Sequence, residues 1–259
     1  MKKSATTSLL TALFSVIAIV VAPTVCVQAQ ETEESLCKAA IYRDAGASDV
    51  CALATLEILN NTSNCEAAFV SAEEIRNGAL NDFDVVFFPG GTASGERKSL
   101  GDEGWKQLWS FLENGGGYVG TCAGAYMALV NEERKEGRLI DGELQEGEWE
   151  RGEAILEIEL TDEGRKILGD YPGRLRVAYQ NGPVFHPANY KELAPYTVLA
   201  YFRTEIAENN APKGVQIDSP AIAAGAYGKG RVVVVSPHPE LTPNLHVFVP
   251  KIARYAANK

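Results

Sequence analysis

Lysine and arginine form no cluster anywhere in this chain, so nothing in it offers a phosphate backbone a matching surface, and nucleic acid is not an expected partner. Apolar runs are equally scarce. Past the first thirty residues none is long enough to span a membrane. Linkers, internal repeats and low-complexity tracts are missing, which excludes solenoid, fibrous and disordered classes and favours one folded unit. Histidine occurs only three times, at 186, 238 and 246, so any imidazole chemistry has few candidates. What is present is ordinary for a globular domain: 259 residues, 46% hydrophobic and 22% charged, with a formal net charge of −10. That acidity keeps a protein dispersed and names no substrate.

Residues 1–29 read as a cleavable secretory signal peptide. Lys2 and Lys3 form a positive start, Leu9 to Val21 an apolar core, and Val27-Gln28-Ala29 a small-residue site ahead of Gln30. The expectation is a secreted or periplasmic protein whose residues 30–259 form one domain, with a charge of about −12 once both signal lysines are removed from −10. Export permits disulfides. Cys26 leaves with the signal, and Cys37, Cys51, Cys65 and Cys122 remain. Cys37 and Cys65 each open a predicted strand, and consecutive parallel strands often lie side by side, so a Cys37–Cys65 bridge is expected. Cys51 falls in a helix as a small buried apolar residue. Asn60-Asn61-Thr62 and Asn61-Thr62-Ser63 match the glycosylation pattern.

Strand and helix patterns alternate along the first half. Strands are expected at Cys37–Tyr42, Ala67–Val70, Val85–Phe88 and Tyr118–Thr121, with helices capped by Ser48 and Ser71 and others from Asp102 and from Ala123. The alternation predicts an α/β fold with a doubly wound, mostly parallel sheet. The pattern loosens between about Asn131 and Pro220, where short alternating segments suggest hairpins forming a β-rich flap or side sheet. Arg231–Ser236 then reads as a buried strand, followed by a closing helix from about Asn244.

Gly120-Thr-Cys-Ala-Gly124 carries the strongest chemical signal. A strand running sharply into a helix lifts its middle residue above the sheet edge, and glycines on either side allow the bend. Cys122 then stands at a helix N-terminus, where the thiolate is favoured. His238 follows the strand at 232–236 and should emerge at the same carboxyl edge of the sheet. Glu240, two residues on, can hold the far ring nitrogen and fix the tautomer, which makes Cys122, His238 and Glu240 a candidate triad. Backbone N–H groups of Gly91, or Gly90, and of Ala123 could bind an oxyanion. Gly90, Arg43, Asp44, Tyr126 and Asn181 are candidate pocket residues, and His186 and His246 lack a catalytic context.

With these motifs in place the chain resembles the class I glutamine amidotransferase-like superfamily, most closely the family named after the N-terminal domain of biotin–protein ligase. The likeness rests on Phe88-Pro-Gly-Gly91, Gly115–Tyr126, Leu160-Thr-Asp-Glu-Gly164, Tyr179–Phe185 and Ser236-Pro-His-Pro-Glu240. It implies a flavodoxin-like sheet and a Cys-His-Glu triad. It does not imply a ligase, and no synthase partner is evident. The expectation is a hydrolase or acyltransferase acting on a small-molecule or peptide amide without metal or organic cofactor, or a non-catalytic binding or regulatory module of the same fold.

Overall fold

The computed structural model describes Met1, residues 35–131 and residues 137–259. The signal-peptide expectation lies outside these apart from Met1. Among the described residues no helix is long and apolar enough to cross a membrane.

The chain starts as expected, with β1 (Cys37–Tyr42), α1 (Asp49–Asn60), β2 (Cys65–Val70), α2 (Ala72–Arg76), β3 (Val85–Phe88), α3 (Ala93–Glu113), β4 (Gly117–Thr121) and α4 (Ala123–Ala128). Ser48 and Ser71 cap α1 and α2, the latter in a complete capping box with Glu74. Helix α3 begins nine residues before Asp102, because its first turns continue through a kink at Gly101 (φ 59°) that sequence periodicity reads as a break. The remaining elements are β5 (Gly142–Leu144), β6 (Glu153–Leu160), α5 (Asp162–Leu168), β7 (Arg174–Gln180), β8 (Phe185–Pro187), β9 (Thr197–Phe202), β10 (Pro220–Tyr227), β11 (Gly230–Val235) and α6 (Phe248–Ala256).

Nine strands form one sheet in the order β2-β1-β3-β4-β11-β10-β9-β6-β7. The pairs from β2 to β11 are parallel and those from β11 to β7 antiparallel. Successive strand residues point to opposite faces. Ile41, Phe87, Val119 and Val233 pack with Leu59 and Ile252 on one face, and Tyr42, Phe88, Tyr118 and Val234 with Trp105 and Leu108 on the other. Each fully buried side chain of this size contributes about 1.5–3 kcal/mol. The central strands have no polar face because helices cover both sides.

The segment expected as a flap is mostly an extension of this sheet. Strands β6, β7, β9 and β10 lie within it, and only β5 and β8 form a separate two-stranded ribbon. The alternating exposure of β6 suits an antiparallel strand with one wet face. The far strand β7 curls back over the sheet's carboxyl edge, where Ala178 bridges to His238.

The Cys37–Cys65 expectation needs correction. The two residues are direct partners across β1 and β2, yet no disulfide joins them. Burial, with help from Cys65 and Asp84, pushes the Cys37 thiol up to about 12, so the thiolate needed for oxidation is scarce. Native protein at pH 9 should leave Cys37 unalkylated while urea-unfolded protein labels it readily. By the same linkage, Cys37 supports the fold fully below its ordinary value near 9, and that support is lost as pH rises toward 12. Mass spectrometry of labelled peptides would read the first effect, and rapid native labelling of Cys37 would refute it. Of the two glycosylation positions, Asn60 is committed to β2, its side chain accepting from Ala67 N (2.8 Å) and donating to Ala67 O (3.1 Å), whereas Asn61 is exposed.

Candidate active site

Thr121 ends β4 opposite Val235 of β11, so the residues that follow each strand emerge side by side. Cys122 follows the first. Its backbone has φ 50° and ψ −101°, a strained combination for a side-chain-bearing residue, and its N–H donates to Val235 O at 2.9 Å. The two flanking glycines are required by space. A Cβ on Gly120 would stand 2.3 Å from Gly124 O, and one on Gly124 would stand 2.1 Å from Phe88 O. The bend therefore closes only with glycine at both ends, and the Cys122 side chain is left standing above the sheet.

His238 and Glu240 come off β11 into a short 3-10 turn, Pro239–Leu241. The His238 N–H donates to Ala178 O (2.8 Å), and Thr242 Oγ1 donates to His238 O (2.8 Å), so the backbone is held on both sides. Nδ1 of the ring lies 2.6 Å from Glu240 Oε1. Both side chains are almost completely buried. Burial alone would oppose a charge on His238, but Glu240, helped by Cys122 and Cys51, outweighs it and holds the imidazole well above its ordinary value. Nε2 has no hydrogen-bond partner among the described residues. The Cys122 thiol beside the ring donates to Gln180 O at 3.3 Å.

A second thiol lies at the same ring. Cys51, in the first turn of α1, places Sγ 3.8 Å from His238 Nδ1. It is buried as expected, but its neighbour is the imidazole and not the apolar core alone. The pattern that hid it is its apolar helical setting; its place three residues after the Ser48 cap, at the helix end facing the carboxyl edge, is the signal that could have found it. Cys51, His238 and Glu240 have ligand-type atoms within 4.8 Å of one another.

Cys122, His238 and Cys51 line a cleft of about 690 Å³ whose other wall includes the segment Leu144–Trp149 beside β5. Gly91 and Ala123 also line it. Ser48 N–H donates to Gly90 O and Thr92 N–H to Gly46 O, each at 2.7 Å, so Ala47 and Gly91 form the bridging pair that exchanges no hydrogen bonds. Gly91 N–H consequently turns away from that strand. Tyr126 and Asn181 are in the cleft wall, joined by a hydrogen bond from the Tyr126 hydroxyl to Asn181 O at 3.0 Å, and Tyr126's hydroxyl pKa is raised by burial.

Three pocket expectations are corrected. Arg43 pairs with Asp49 at 2.7 Å and lies over the Phe69 ring, away from the cleft. Asp44 accepts hydrogen bonds from Ala45 N and Ala72 N, tying the loop to the start of α2. Gly90 does not line the cleft but packs against His238 and Cys51, where a Cβ would lie 2.7 Å from His238 Cε1 and 2.9 Å from Cys51 Sγ. His186 pairs with Glu143 on the ribbon, and neither it nor His246 lines the cleft. Sequence reasoning missed Arg97, Arg151 and Trp149 as cleft residues; Arg97 comes from the first part of α3, and the positions of Arg151 and Trp149 depend on how the chain runs between β5 and β6.

This arrangement of elbow, sheet and switch in strand order has counterparts. Residues 37–139 match the family described as biotin-protein ligase, N terminal. PurLQS from Thermotoga maritima superposes with a TM-score of 0.56 at 13% identity, over 86% of this chain and 98% of that one. The chain has a glutamine amidotransferase-like fold. A ThuA-like protein from Bacteroides uniformis ATCC 8492 is similar too, with TM-score 0.59, 16% identity, and coverage of 88% and 94%. The beta-galactosidase from Bacillus circulans sp. alkalophilus matches over 85% of this chain but only 31% of its own length, with TM-score 0.52 and 16% identity. No curated protein matches the chain. At these identities the likeness establishes the fold, and the fold hosts many functions.

Proposed function

We propose that the chain is an exported cysteine-nucleophile hydrolase or acyltransferase acting on an amide-type bond. The observation that carries this reading is the meeting of Cys122 and His238 at one cleft, with Nε2 of the ring unpartnered and Glu240 on Nδ1. His238 Nε2 holds the proton lost by the Cys122 thiol, and the thiolate sulfur attacks the amide carbonyl. Glu240 keeps the ring proton on Nδ1. The N–H groups of Gly91 and Ala123 receive the carbonyl oxygen as it becomes anionic. Collapse of the tetrahedral adduct breaks the C–N bond, and His238 returns its proton to the departing amine. Water, deprotonated by the same nitrogen, or a second amine then releases the acyl group from sulfur. The lysine-initiated apolar leader is the support for export.

A non-catalytic binding module of the same fold is the second reading, favoured by one observation: the resting thiol donates to Gln180 O, not to the imidazole. A panel of amide substrates and electrophilic probes separates the two. Wild-type protein should turn over at least one amide and label at Cys122, and Cys122→Ala should reduce turnover at least a thousandfold. Turnover that survives Cys122→Ala would eliminate the cysteine mechanism.

A further inference from the structure

Cys51 has no role in that mechanism, yet it lies nearer to a ring nitrogen of His238 than a spectator needs to. We propose that Cys51, His238 and Glu240 form a site for a soft divalent cation of the zinc class, and that occupation of this site switches off the imidazole as a base.

Geometry comes first. A tetrahedral zinc held by sulfur at about 2.3 Å and by nitrogen and oxygen at about 2.0 Å needs a sulfur–nitrogen edge of roughly 3.5 Å and a nitrogen–oxygen edge of roughly 3.3 Å. The observed edges are 3.8 Å from Cys51 Sγ to His238 Nδ1 and 2.6 Å from Nδ1 to Glu240 Oε1. The first already fits, and the second opens by about 0.7 Å when an ion replaces the shared proton.

The donor set is a thiolate, an imidazole and a carboxylate, which suits zinc and cadmium better than magnesium or calcium. Two anionic ligands neutralise a divalent ion, so the occupied site carries no net charge into a buried place. Glu240 also has its second oxygen, Oε2, buried without a partner among the described residues. A buried carboxylate oxygen left unpaired is costly, and an ion bound by both oxygens would satisfy it. Cys51 and His238 line the cleft, which supplies the way in and a water as fourth ligand.

Binding breaks the Cys51 S–H bond and the His238 Nδ1–H bond. The imidazole keeps one proton, now on Nε2, and the surplus goes to buffer. An Nε2 that carries a proton cannot take one from the Cys122 thiol. This consequence rests on the proposed mechanism, whereas binding of the ion does not.

The test separates the two. Chelator-treated Cys122→Ala protein is titrated with Cd²⁺, and the ultraviolet thiolate-to-cadmium charge-transfer band is followed. The expected result is a band that saturates near one equivalent, is lost on adding Cys51→Ser, and shifts at least tenfold to weaker binding with Glu240→Gln. A band unchanged by both substitutions overturns the site. In wild-type protein Zn²⁺ should slow iodoacetamide labelling of Cys122 at least tenfold, with relief in Cys51→Ser when each protein is compared with its own metal-free rate. Equal slowing in both overturns the switch, since zinc would then be acting at Cys122 alone. Amide turnover that is absent in a protein with an intact cadmium band would count against the hydrolase reading only.

Discussion

Gly124→Ala is expected to cost at least about 3 kcal/mol of stability and to lower the melting temperature by roughly 6–12 °C. The added Cβ would stand 2.1 Å from Phe88 O, 2.7 Å from Phe88 Cβ and 2.8 Å from Phe88 C. Phe88 is fully buried in a central strand between β1 and β4, so no side-chain rotation relieves the clash. Relief would require the elbow to move, and the elbow is tied at 2.7 Å through the Tyr118 hydroxyl to Gly124 O, and by Cys122 N–H to Val235 O. Gly104→Ala is the contrast. It lies within α3, and its nearest neighbours are Leu100 Cδ2 at 3.0 Å and Leu100 Cβ at 3.1 Å, a side-chain contact that needs to give by only a few tenths of an ångström. That change should stay within about 1 kcal/mol, because helix propensity favours alanine. Thermal unfolding followed by circular dichroism compares the two. Equal melting temperatures for both variants would show that Gly124 is a sequence habit and not a packing requirement.

The elbow was legible because each of its requirements leaves a mark in the sequence. A polar-free strand must sit inside a parallel sheet, a glycine must stand where a neighbouring backbone leaves no room for a Cβ, and a strand at 232–236 must deliver His238 to the edge reached by Cys122. These are short-range facts combined with one rule of sheet polarity. Arg43 and Asp44 show where the reasoning ends. Both follow β1 at the active edge, but edge membership does not say which way a side chain turns. A cation over Phe69 and a carboxylate on the Ala72 N–H drew them to the β2 side. Cys51 was hidden for the opposite reason, since a buried cysteine in an apolar helix looks the same whether its neighbour is leucine or imidazole. The alternation from Ile155 to Leu160 suggested a hairpin but not its place in the sheet order. Only the antiparallel run β11-β10-β9-β6-β7, with β7 curling back to Ala178, brings Gln180 and Asn181 over the thiol. Cys37 and Cys65 were legible as strand partners, and what the pattern did not carry is the burial that raises the Cys37 thiol.

His238→Ala is expected to slow iodoacetamide labelling of Cys122 at pH 6 by about a hundredfold, and amide turnover by about 10²–10⁴. The argument runs through charge. Glu240 is the leading contribution that overcomes burial and holds His238 well above the ordinary imidazole value, so at pH 6 the ring is an imidazolium. A cation beside Cys122 favours the thiolate, the form that reacts. The sign follows directly. Support from His238⁺ is complete at low pH and disappears as pH rises through the raised His238 value, so fast labelling should extend well above pH 6.5 in chelator-treated wild-type protein. Glu240→Gln keeps a group of the same shape on Nδ1 but removes the charge. Its upper limit of fast labelling should therefore move to lower pH, while His238→Ala loses the low-pH enhancement altogether. Glu240→Gln also separates positioning from bulk stability. A merely structural Glu240 would change the melting temperature and leave the pH profile of labelling where it was, whereas a positioning Glu240 moves the profile even after labelling is measured far below the melting temperature. If all three proteins labelled at one rate from pH 5 to pH 9, the imidazole would have no hold on the thiol, and the shared cleft would be a packing arrangement without chemistry.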